Sequence, residues 1–321
     1  TISAGLTAIS VFLMFIKPII NDNGVLTVEF ARFGPTGIIV GIVAGYLVSI
    51  IFHFIGKRDL LSESSLPDFV IGWVQNIIPI FTSIAVAVLL TFKFDIDLFA
   101  LILKVFSPIQ GFGQTLPGFV LLIFLMTFFY TLGISHWLWN GIKTPIFMAG
   151  IAANIAAVEQ GLSATNIATN EAVFTAGLIT MGGMGATLTL NLLMCFSKSK
   201  SLKTVGRLSI LPSIFNINEP IMYSAPIVMN PLLMVPMWIN AITGPLVIWF
   251  TMRSGFLNIP SKMIQVGQIP APLSSVMITE DLRAIIVYIL LFIIYLATWY
   301  PFFKVYEKQR ITEEEFEATS K

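Results

Sequence analysis

One acidic residue, Glu219, lies in the middle of a long apolar part of the chain. It is the only Asp or Glu between Glu171 and Glu280, and its flanking stretches are apolar enough to lie in a bilayer. A carboxylate at membrane depth is costly, and a protein keeps one there when the group lines a polar cavity or a solute path. Glu219 is therefore the first candidate for a functional residue.

The neighbours of Glu219 indicate what it could bind. Because a following proline disfavours helical geometry, we expect Pro220 to leave the Glu219 carboxylate projecting from a turn, with Asn216 and Asn218 nearby. A carboxylate accepts hydrogen bonds and an Asn amide both donates and accepts them, so these three side chains suit sugar hydroxyls. The alternative is that Glu219 only binds backbone N–H groups at helix ends. The rarity of unpaired intramembrane acids favours the functional interpretation.

A second polar interruption of the apolar sequence, from Ser135 to Lys143, contains His136. This histidine could donate to a hydroxyl or phosphoryl oxygen, although it could also be a satisfied polar group among aromatic residues. Tyr130 and Trp137 could present flat apolar faces to a sugar ring, and interfacial anchoring explains them about as well. Lys143 either offsets the charge of Glu219, if the two interruptions meet, or extends to the membrane interface.

The composition indicates a membrane protein. Hydrophobic residues make up 56% of the 321 residues and charged residues 11%, whereas soluble domains carry about 25% charge. The net charge of +1 gives no indication of a nucleic-acid partner. A single cysteine, Cys195, supports neither a disulfide framework nor a cysteine metal site. With the only other histidine at His53, beside a span end, we predict no metal site and no cofactor.

The apolar runs predict an all-α polytopic membrane protein. A helix needs about 20 apolar residues to cross the hydrocarbon core, and the candidate spans, several of them completed by flanking residues, are 4–16, 36–55, 66–92, 118–133, 172–196 and 284–303. Pro79 is expected to kink or break the third span. Residues 98–106 are too short to span and predict an interfacial helix, followed by a turn around Pro108 and Gly111. We interpret the glycines of 182–185 as helix packing or a local break, because a phosphate loop would need a Lys-Ser/Thr ending.

Two segments predict broken helices. Six prolines between residues 208 and 252 prevent one continuous helix there, and the polar residues 135–143 interrupt the chain earlier. Irregular backbone at membrane depth is tolerated only where protein or a water-filled cavity satisfies it. We therefore predict two re-entrant hairpins, at these two segments, that enclose a solute site.

The distribution of basic residues predicts the orientation. The cluster of Lys and Arg in 198–207 places that loop in the cytoplasm by the positive-inside rule. We predict a packing and dimerisation part in 1–58, a substrate-binding transport part in 59–304 and a cytoplasmic tail in 305–321. Since residue 1 already lies in an apolar stretch, further spans are expected to precede it.

The residues around Glu219 resemble a known family signature. The segment Ile214-Phe215-Asn216-Ile217-Asn218-Glu219-Pro220-Ile221, followed by Pro226-Ile227-Val228-Met229-Asn230-Pro231, is similar to that of the enzyme IIC permeases of the phosphoenolpyruvate-dependent sugar phosphotransferase system, in the lactose/cellobiose/diacetylchitobiose branch. Weaker similarity extends through residues 34–37, Leu66-Pro67 and Gly133-Ile134-Ser135-His136. The resemblance thus covers most of the chain.

The resemblance implies a fold, partners and roles. It implies a homodimer in the bacterial cytoplasmic membrane, with re-entrant hairpins around the sugar. Glu219 would hold, and could deprotonate, the hydroxyl that is phosphorylated, with His136 beside it. The phosphoryl donor would be a phosphocysteine on a separate cytoplasmic IIB protein, and Cys195 is no substitute for it.

Two rival functions stay open at this point, and so does the status of the chain as an enzyme. In an ion-coupled secondary sugar transporter, Glu219 would carry a proton and no phosphoryl group would move. A structural membrane subunit would bind no solute. In the phosphotransferase interpretation the chain is the membrane subunit of a complex whose phosphoryl donor residue is on a partner.

Overall fold

The computed structural model describes residues 2–20, 26–28, 30–33, 37–56, 68–264 and 269–319. The chain divides into two compact units, Thr1–Pro108 and Ile109–Lys321. The described part of the chain is mostly helical. The all-α prediction is confirmed.

The first unit is a packed set of helices with a short antiparallel strand pair. Its elements are α1 (Ile2–Phe15), β1 (Ile19–Ile20), β2 (Leu26–Thr27), a 3-10 turn (Phe30–Phe33), α2 (Gly37–Gly56), α3 (Asp68–Val88), a π-helical turn (Leu89–Lys93) and α4 (Leu98–Gly113), which runs on into the second unit. The first three helices pack against one another around a buried apolar core that includes Val11, Phe15, Val40, Ala44 and Ala87.

Two predictions for this part of the chain need correction. Of the kink or break predicted at Pro79, the break is wrong, because α3 is continuous there, and the kink stays a prediction. Helix α4 continues past Phe106 and through Pro108 to Gly113, so the predicted turn begins only at Gln114. A proline removes one backbone donor and crowds the preceding turn, but helices in membrane proteins absorb this by local adjustment. A proline alone therefore does not mark a helix end here.

The second unit contains the remaining helices. They are α5 (Leu116–Thr131), a 3-10 turn (His136–Trp139), α6 (Asn140–Glu159), a π-helical turn (Glu171–Thr175), α7 (Leu188–Cys195), α8 (Lys200–Ile214), α9 (Glu219–Ser224), α10 (Pro231–Arg253), α11 (Ala271–Thr279) and α12 (Ala284–Thr319). Helix α10 packs between α5 and α12, while α7 contacts α8 and α12. The predicted broken stretch is confirmed, since α8, α9 and α10 are separated by turns.

Several helices are long and apolar enough to cross a membrane. Within the described residues these candidate spans are Val70–Lys93, Ile142–Glu159, Pro231–Arg253 and Ala284–Thr319. Shorter apolar helices cover Ile2–Phe15, Val40–Ile55 and Leu116–Thr131. The prediction of a multi-pass membrane protein is confirmed by these helices. The two re-entrant hairpins are defined relative to a bilayer and stay a prediction.

The predicted clean span 172–196 is wrong. Only the π-helical turn and α7 are helical in this range, and residues 176–187, here called the glycine loop, run as consecutive turns between them. Gly177, Gly182, Gly183 and Gly185 all have positive φ angles, between 66° and 111°. Glycine adopts such angles without the steric penalty of a side chain. Of the two interpretations of the glycine cluster, the local break is the correct one.

Side chains from two long helices satisfy the backbone of the glycine loop. The Tyr295 hydroxyl donates to the Leu178 carbonyl over 3.1 Å, and the Trp299 indole N–H donates to the Ala186 carbonyl over 3.0 Å. Asn240 of α10 donates to a further carbonyl of the loop. Both aromatic side chains are fully buried on one face of α12. The loop can therefore lie inside the protein without unpaired carbonyls at these points.

The far end of α12 is held by the turn between α7 and α8. The Glu307 carboxylate accepts from the Ser197 hydroxyl over 2.7 Å and from the Lys198 amide over 2.8 Å. Glu314 accepts from the Ser199 hydroxyl over 2.6 Å. The predicted tail is thus helical as far as Thr319 and lies beside the basic segment 198–207, so the two lie on the same side, as the positive-inside rule predicts. The expectation that 198–207 is a loop is wrong, because α8 already begins at Lys200.

The predicted division of the chain by role stays a prediction. Residues 57–67, which include the predicted boundary at 58, lie outside the described residues, as do residues 34–36 of the resemblance. The compact units divide the chain by contacts, and contacts do not assign dimerisation or transport to a segment.

Candidate functional site

Three irregular stretches of the second unit meet around one cavity, here called the chamber. They are the start of α6 with its preceding 3-10 turn, the segment from Asn170 to the glycine loop, and the turn between α8 and α9. The cavity volume is about 570 Å³, which is in the usual range for small-molecule sites. Its lining includes His136, Lys143, Asn170, Thr180, Gly183 and Glu219.

Glu219 is the first residue of α9 and is half-buried at the chamber wall. The predicted turn lies just before it, at residues 215–218, so the expectation that Pro220 would keep Glu219 out of a helix is wrong. A proline in the first turn of a helix removes a backbone donor that has no partner there anyway. A carboxylate at this helix position is also favoured by the helix dipole.

The two predicted asparagines line the chamber and also fasten the glycine loop. The Asn216 side-chain oxygen accepts from the Gly182 amide over 2.9 Å, and Asn216 itself has a φ of 60°. The Asn218 amide nitrogen donates to the Met184 carbonyl over 2.9 Å, and Asn218 is buried. Each asparagine therefore has part of its hydrogen-bonding capacity committed to the protein.

The glycine loop approaches these asparagines more closely than any side chain would allow. A Cβ atom added at Gly183 would lie 2.3 Å from the Asn218 Cγ atom, and one added at Gly177 would lie 2.5 Å from the Asn216 Nδ2 atom. Both distances are far below van der Waals contact. Glycine is thus required at both positions by space as well as by backbone angle.

Tyr130 connects the histidine to the asparagine turn. The Tyr130 hydroxyl donates to the Asn218 side-chain oxygen over 3.3 Å. The Tyr130 and His136 rings meet edge to face, with centroids 5.3 Å apart, and His136 is half-buried at the chamber wall. Tyr130 is buried behind these groups and does not belong to the lining. Of Trp137 only the backbone is described, and its side chain lies outside the described atoms.

Lys143 belongs to the wall of the chamber. Its side chain is 7% exposed, and its Nζ atom lies 3.8 Å from the centroid of the Phe174 ring, a cation–π distance. Among the described lining residues, Glu219 supplies the carboxylate, and Lys143 and His136 supply the basic groups. The two predicted interruptions thus contribute to one cavity.

Part of the lining had no prediction from the sequence. Phe174, Thr180 and Met184 lie within the predicted span 172–196, and Asn170 lies just before it. The glycine cluster was the available signal, because consecutive glycines within an apolar run permit a chain reversal. Among the described residues, no group of three or more His, Cys, Asp or Glu side chains could hold a metal ion.

Comparison with known proteins identifies related sequences. The family model described as "Phosphotransferase system, EIIC" matches residues 1–241. The oligo-beta-mannoside-specific EIIC component of Bacillus subtilis (strain 168) is 26% identical over 316 residues, covering 94% of this chain and 70% of the relative. The lactose-specific EIICB component of Staphylococcus epidermidis is 29% identical over 98% of this chain and 54% of the relative. The chain spans about half the length of that relative.

A solved structure has the same fold. The transporter ChbC, the IIC component from the N,N'-diacetylchitobiose-specific phosphotransferase system, matches with a TM-score of 0.79 and 27% sequence identity. The match covers 97% of this chain and 76% of that one. Both the sequence and the fold are therefore similar to those of sugar transporters of one kind.

Proposed function

The chain belongs to the EIIC family of the phosphotransferase system, and from that premise we propose that it binds a sugar or oligosaccharide in the chamber and carries it inward for phosphorylation. The single observation that supports this most is the meeting of Glu219 and His136 in one cavity at two breaks of the helical structure. Broken helices at a cavity are how many carriers build a solute site. The relatives act on oligo-beta-mannosides, lactose and diacetylchitobiose, which makes a disaccharide or short oligosaccharide the proposed substrate class.

In the proposed reaction the chain contributes groups that bind and orient the sugar. Glu219 accepts the hydrogen bond of one sugar hydroxyl and takes its proton as that oxygen attacks phosphorus. An O–P bond forms, the P–S bond of a phosphocysteine on the IIB partner breaks, and the thiolate leaves on that partner. His136 donates a hydrogen bond to the sugar or to the transferred group. Asn216 and Asn218 meet other hydroxyls with the donors and acceptors that the glycine loop leaves available.

The partners follow from the family. EIIC components act on a sugar together with a IIB domain. We propose that this IIB is a separate phosphorylated protein that approaches from the cytoplasmic side, and that the chain works as a homodimer. The ion-coupled alternative finds no support in the comparisons.

Two aromatic residues have different proposed roles. Trp137 is proposed to offer a flat face to a sugar ring, and Tyr130 is proposed to position His136 and Asn218.

Membrane vesicles test the proposal. The full-length protein is reconstituted, phosphorylated IIB is enclosed, and labelled lactose, diacetylchitobiose and oligo-β-mannosides are added outside. The expected result is that one of these sugars appears inside as sugar phosphate, because transfer accompanies uptake. Accumulation of unmodified sugar would instead establish ion-coupled transport, and no uptake of any sugar would contradict a permease function.

A further inference from the structure

The chamber contains a buried cation for which sugar binding alone gives no reason. Sugar hydroxyls are neutral, and a neutral polar side chain could meet them without the cost of burying an ammonium group. Lys143 is nevertheless 7% exposed and belongs to the lining that also holds Glu219 and His136. The Phe174 ring under its Nζ atom compensates part of the burial, and it also holds the side chain in one direction.

The chemistry of phosphoryl transfer gives a reason for a cation in the chamber. During transfer the phosphoryl group brings negative charge into a cavity that already holds the Glu219 carboxylate. Like charges at short range in a low-dielectric site repel strongly. Positively charged side chains aimed at the developing charge are the usual remedy in phosphoryl-transfer sites. Within the described lining, Lys143 offers an ammonium group and His136 offers an imidazole, and Lys143 is the more basic of the two.

We propose that Lys143 forms a phosphoryl-binding subsite, in which its ammonium group donates hydrogen bonds to the non-bridging oxygens of the transferred group. This inference rests on the proposed function of the chamber. Lys143 keeps its proton throughout, while the hydroxyl proton goes to Glu219 and the electron pair of the P–S bond leaves with the IIB sulfur. Lys143 thus stabilises charge and takes no part in bond making.

A competing role for Lys143 is to neutralise Glu219 without touching the phosphoryl group. In that case Lys143→Gln would leave an uncompensated carboxylate and would weaken sugar binding, and the double variant Lys143→Gln with Glu219→Gln would restore the binding. In a phosphoryl-binding subsite, Lys143→Gln binds sugar almost as the wild type does and is defective in transfer. The double variant then binds sugar no better than Lys143→Gln does.

The experiment measures equilibrium binding of lactose and diacetylchitobiose and single-turnover transfer from phosphorylated IIB in the same reconstituted protein. We expect Lys143→Gln to keep sugar affinity and to lower the transfer rate by roughly 10²–10³-fold, the usual cost of removing one donor from a charge-stabilising site. Lys262→Gln is the matched control, because Lys262 is exposed and pairs with Glu280 away from the chamber lining. Unchanged transfer in Lys143→Gln would overturn the subsite, and so would restored sugar binding in the double variant.

A measurement on the wild-type protein covers the case in which Lys143→Gln does not fold. Cyanate carbamylates lysine amines, and peptide mass spectrometry follows the reaction at Lys143. Inorganic phosphate should slow carbamylation of Lys143 relative to sodium chloride at equal ionic strength, and should leave Lys262 unaffected. Equal rates in phosphate and chloride would overturn the subsite. Absence of any sugar phosphate in wild-type vesicles would instead reject the proposed function.

Discussion

The chamber has one wall that carries titratable side chains and another that is formed by the glycine loop. His136, Lys143 and Glu219 form the first, here called the reactive wall, and Thr180, Gly183 and Met184 of the glycine loop form the second, here called the backbone wall. The reactive wall consists of side chains that could be replaced one at a time without moving the main chain. The backbone wall depends on angles and spacings that other residues cannot reproduce. Mutations in the backbone wall should therefore lower stability, whereas mutations in the reactive wall should lower activity and leave the protein folded.

The largest effect is expected from the backbone wall, in Gly183→Ala. The φ of Gly183 is 111°, and the added Cβ atom would lie 2.3 Å from the Asn218 Cγ atom. Residues forced into such angles cost about 1–3 kcal/mol, and the clash adds to this because Asn218 is buried and bonded. We expect a large fall in the thermal unfolding temperature in detergent, with sugar binding and transfer lost together.

Gly161→Ala is the matched control for that variant. Gly161 also has a positive φ, 75°, but it is exposed and no described atom lies within 4 Å of an added Cβ. Only the backbone penalty of about 1–2 kcal/mol applies there. If Gly183→Ala were as stable as Gly161→Ala, the close fit between the glycine loop and Asn218 would contribute nothing to the stability of the protein.

Glu219→Gln should break the reactive wall while it leaves the backbone wall intact. The variant keeps the size of the side chain and removes its charge, so the unfolding temperature should change little and sugar binding should persist in part. Loss of a general base typically lowers the rate by about 10²–10⁴-fold. Glu280→Gln is the control, because Glu280 is exposed and pairs with Lys262 outside the chamber lining. A fall in stability as large as that of Gly183→Ala would show that Glu219 is structural.

The asparagine turn joins the two walls, and Asn218→Ala should have an intermediate effect. It leaves the buried Met184 carbonyl without this donor, and an unsatisfied buried group costs about 1–3 kcal/mol. Asn216→Ala should cost less, because the bond between Asn216 and Gly182 is only partly buried, whereas the bond between Asn218 and Met184 is fully buried. Thermal unfolding of both variants in detergent checks this order. A larger loss of stability in Asn216→Ala than in Asn218→Ala would show that Asn216 contributes more to holding the glycine loop.

The smallest effect is expected for Tyr130→Phe. This variant removes one hydroxyl whose hydrogen bond to Asn218 is long, at 3.3 Å, and it keeps the ring against His136. A net loss of about 0.5–1.5 kcal/mol in the free energy of unfolding follows from a bond of this kind. Transfer at saturating sugar should stay within about tenfold of the wild type. A larger loss of transfer with intact stability would place Tyr130 in contact with the sugar.

The reactive wall was largely predictable from the sequence because each of its members is rare in its surroundings. A carboxylate, an imidazole and an ammonium group within apolar sequence stand out residue by residue, since each is costly in a bilayer. The structure brings Glu219, His136 and Lys143 to one chamber, as their positions at two breaks suggested. What they do to a sugar stays a prediction.

The backbone wall was not predictable in the same way because glycine has no single structural meaning. Several glycines within one apolar run also occur where helices pack, as at Gly41 in α2, where an added Cβ would lie 3.8 Å from the Phe12 ring. Prolines were misleading in the opposite sense, since α10 is continuous through Pro236 and Pro245. Whether glycines mark a packed helix or a loop depends on partners that are distant in sequence, such as Trp299, which donates to the Ala186 carbonyl. A local sequence pattern does not contain these partners.

Transfer by Glu219→Gln at matched sugar occupancy tests the central claim most directly. Vesicles with wild-type or variant protein receive the same phosphorylated IIB, with labelled sugar adjusted so that both proteins are equally occupied, and sugar phosphate is measured in one turnover. The account predicts that sugar phosphate forms in the wild type and nearly vanishes in the variant, although the variant is folded and holds sugar. Equal formation in both proteins would contradict a role for this carboxylate in phosphoryl transfer.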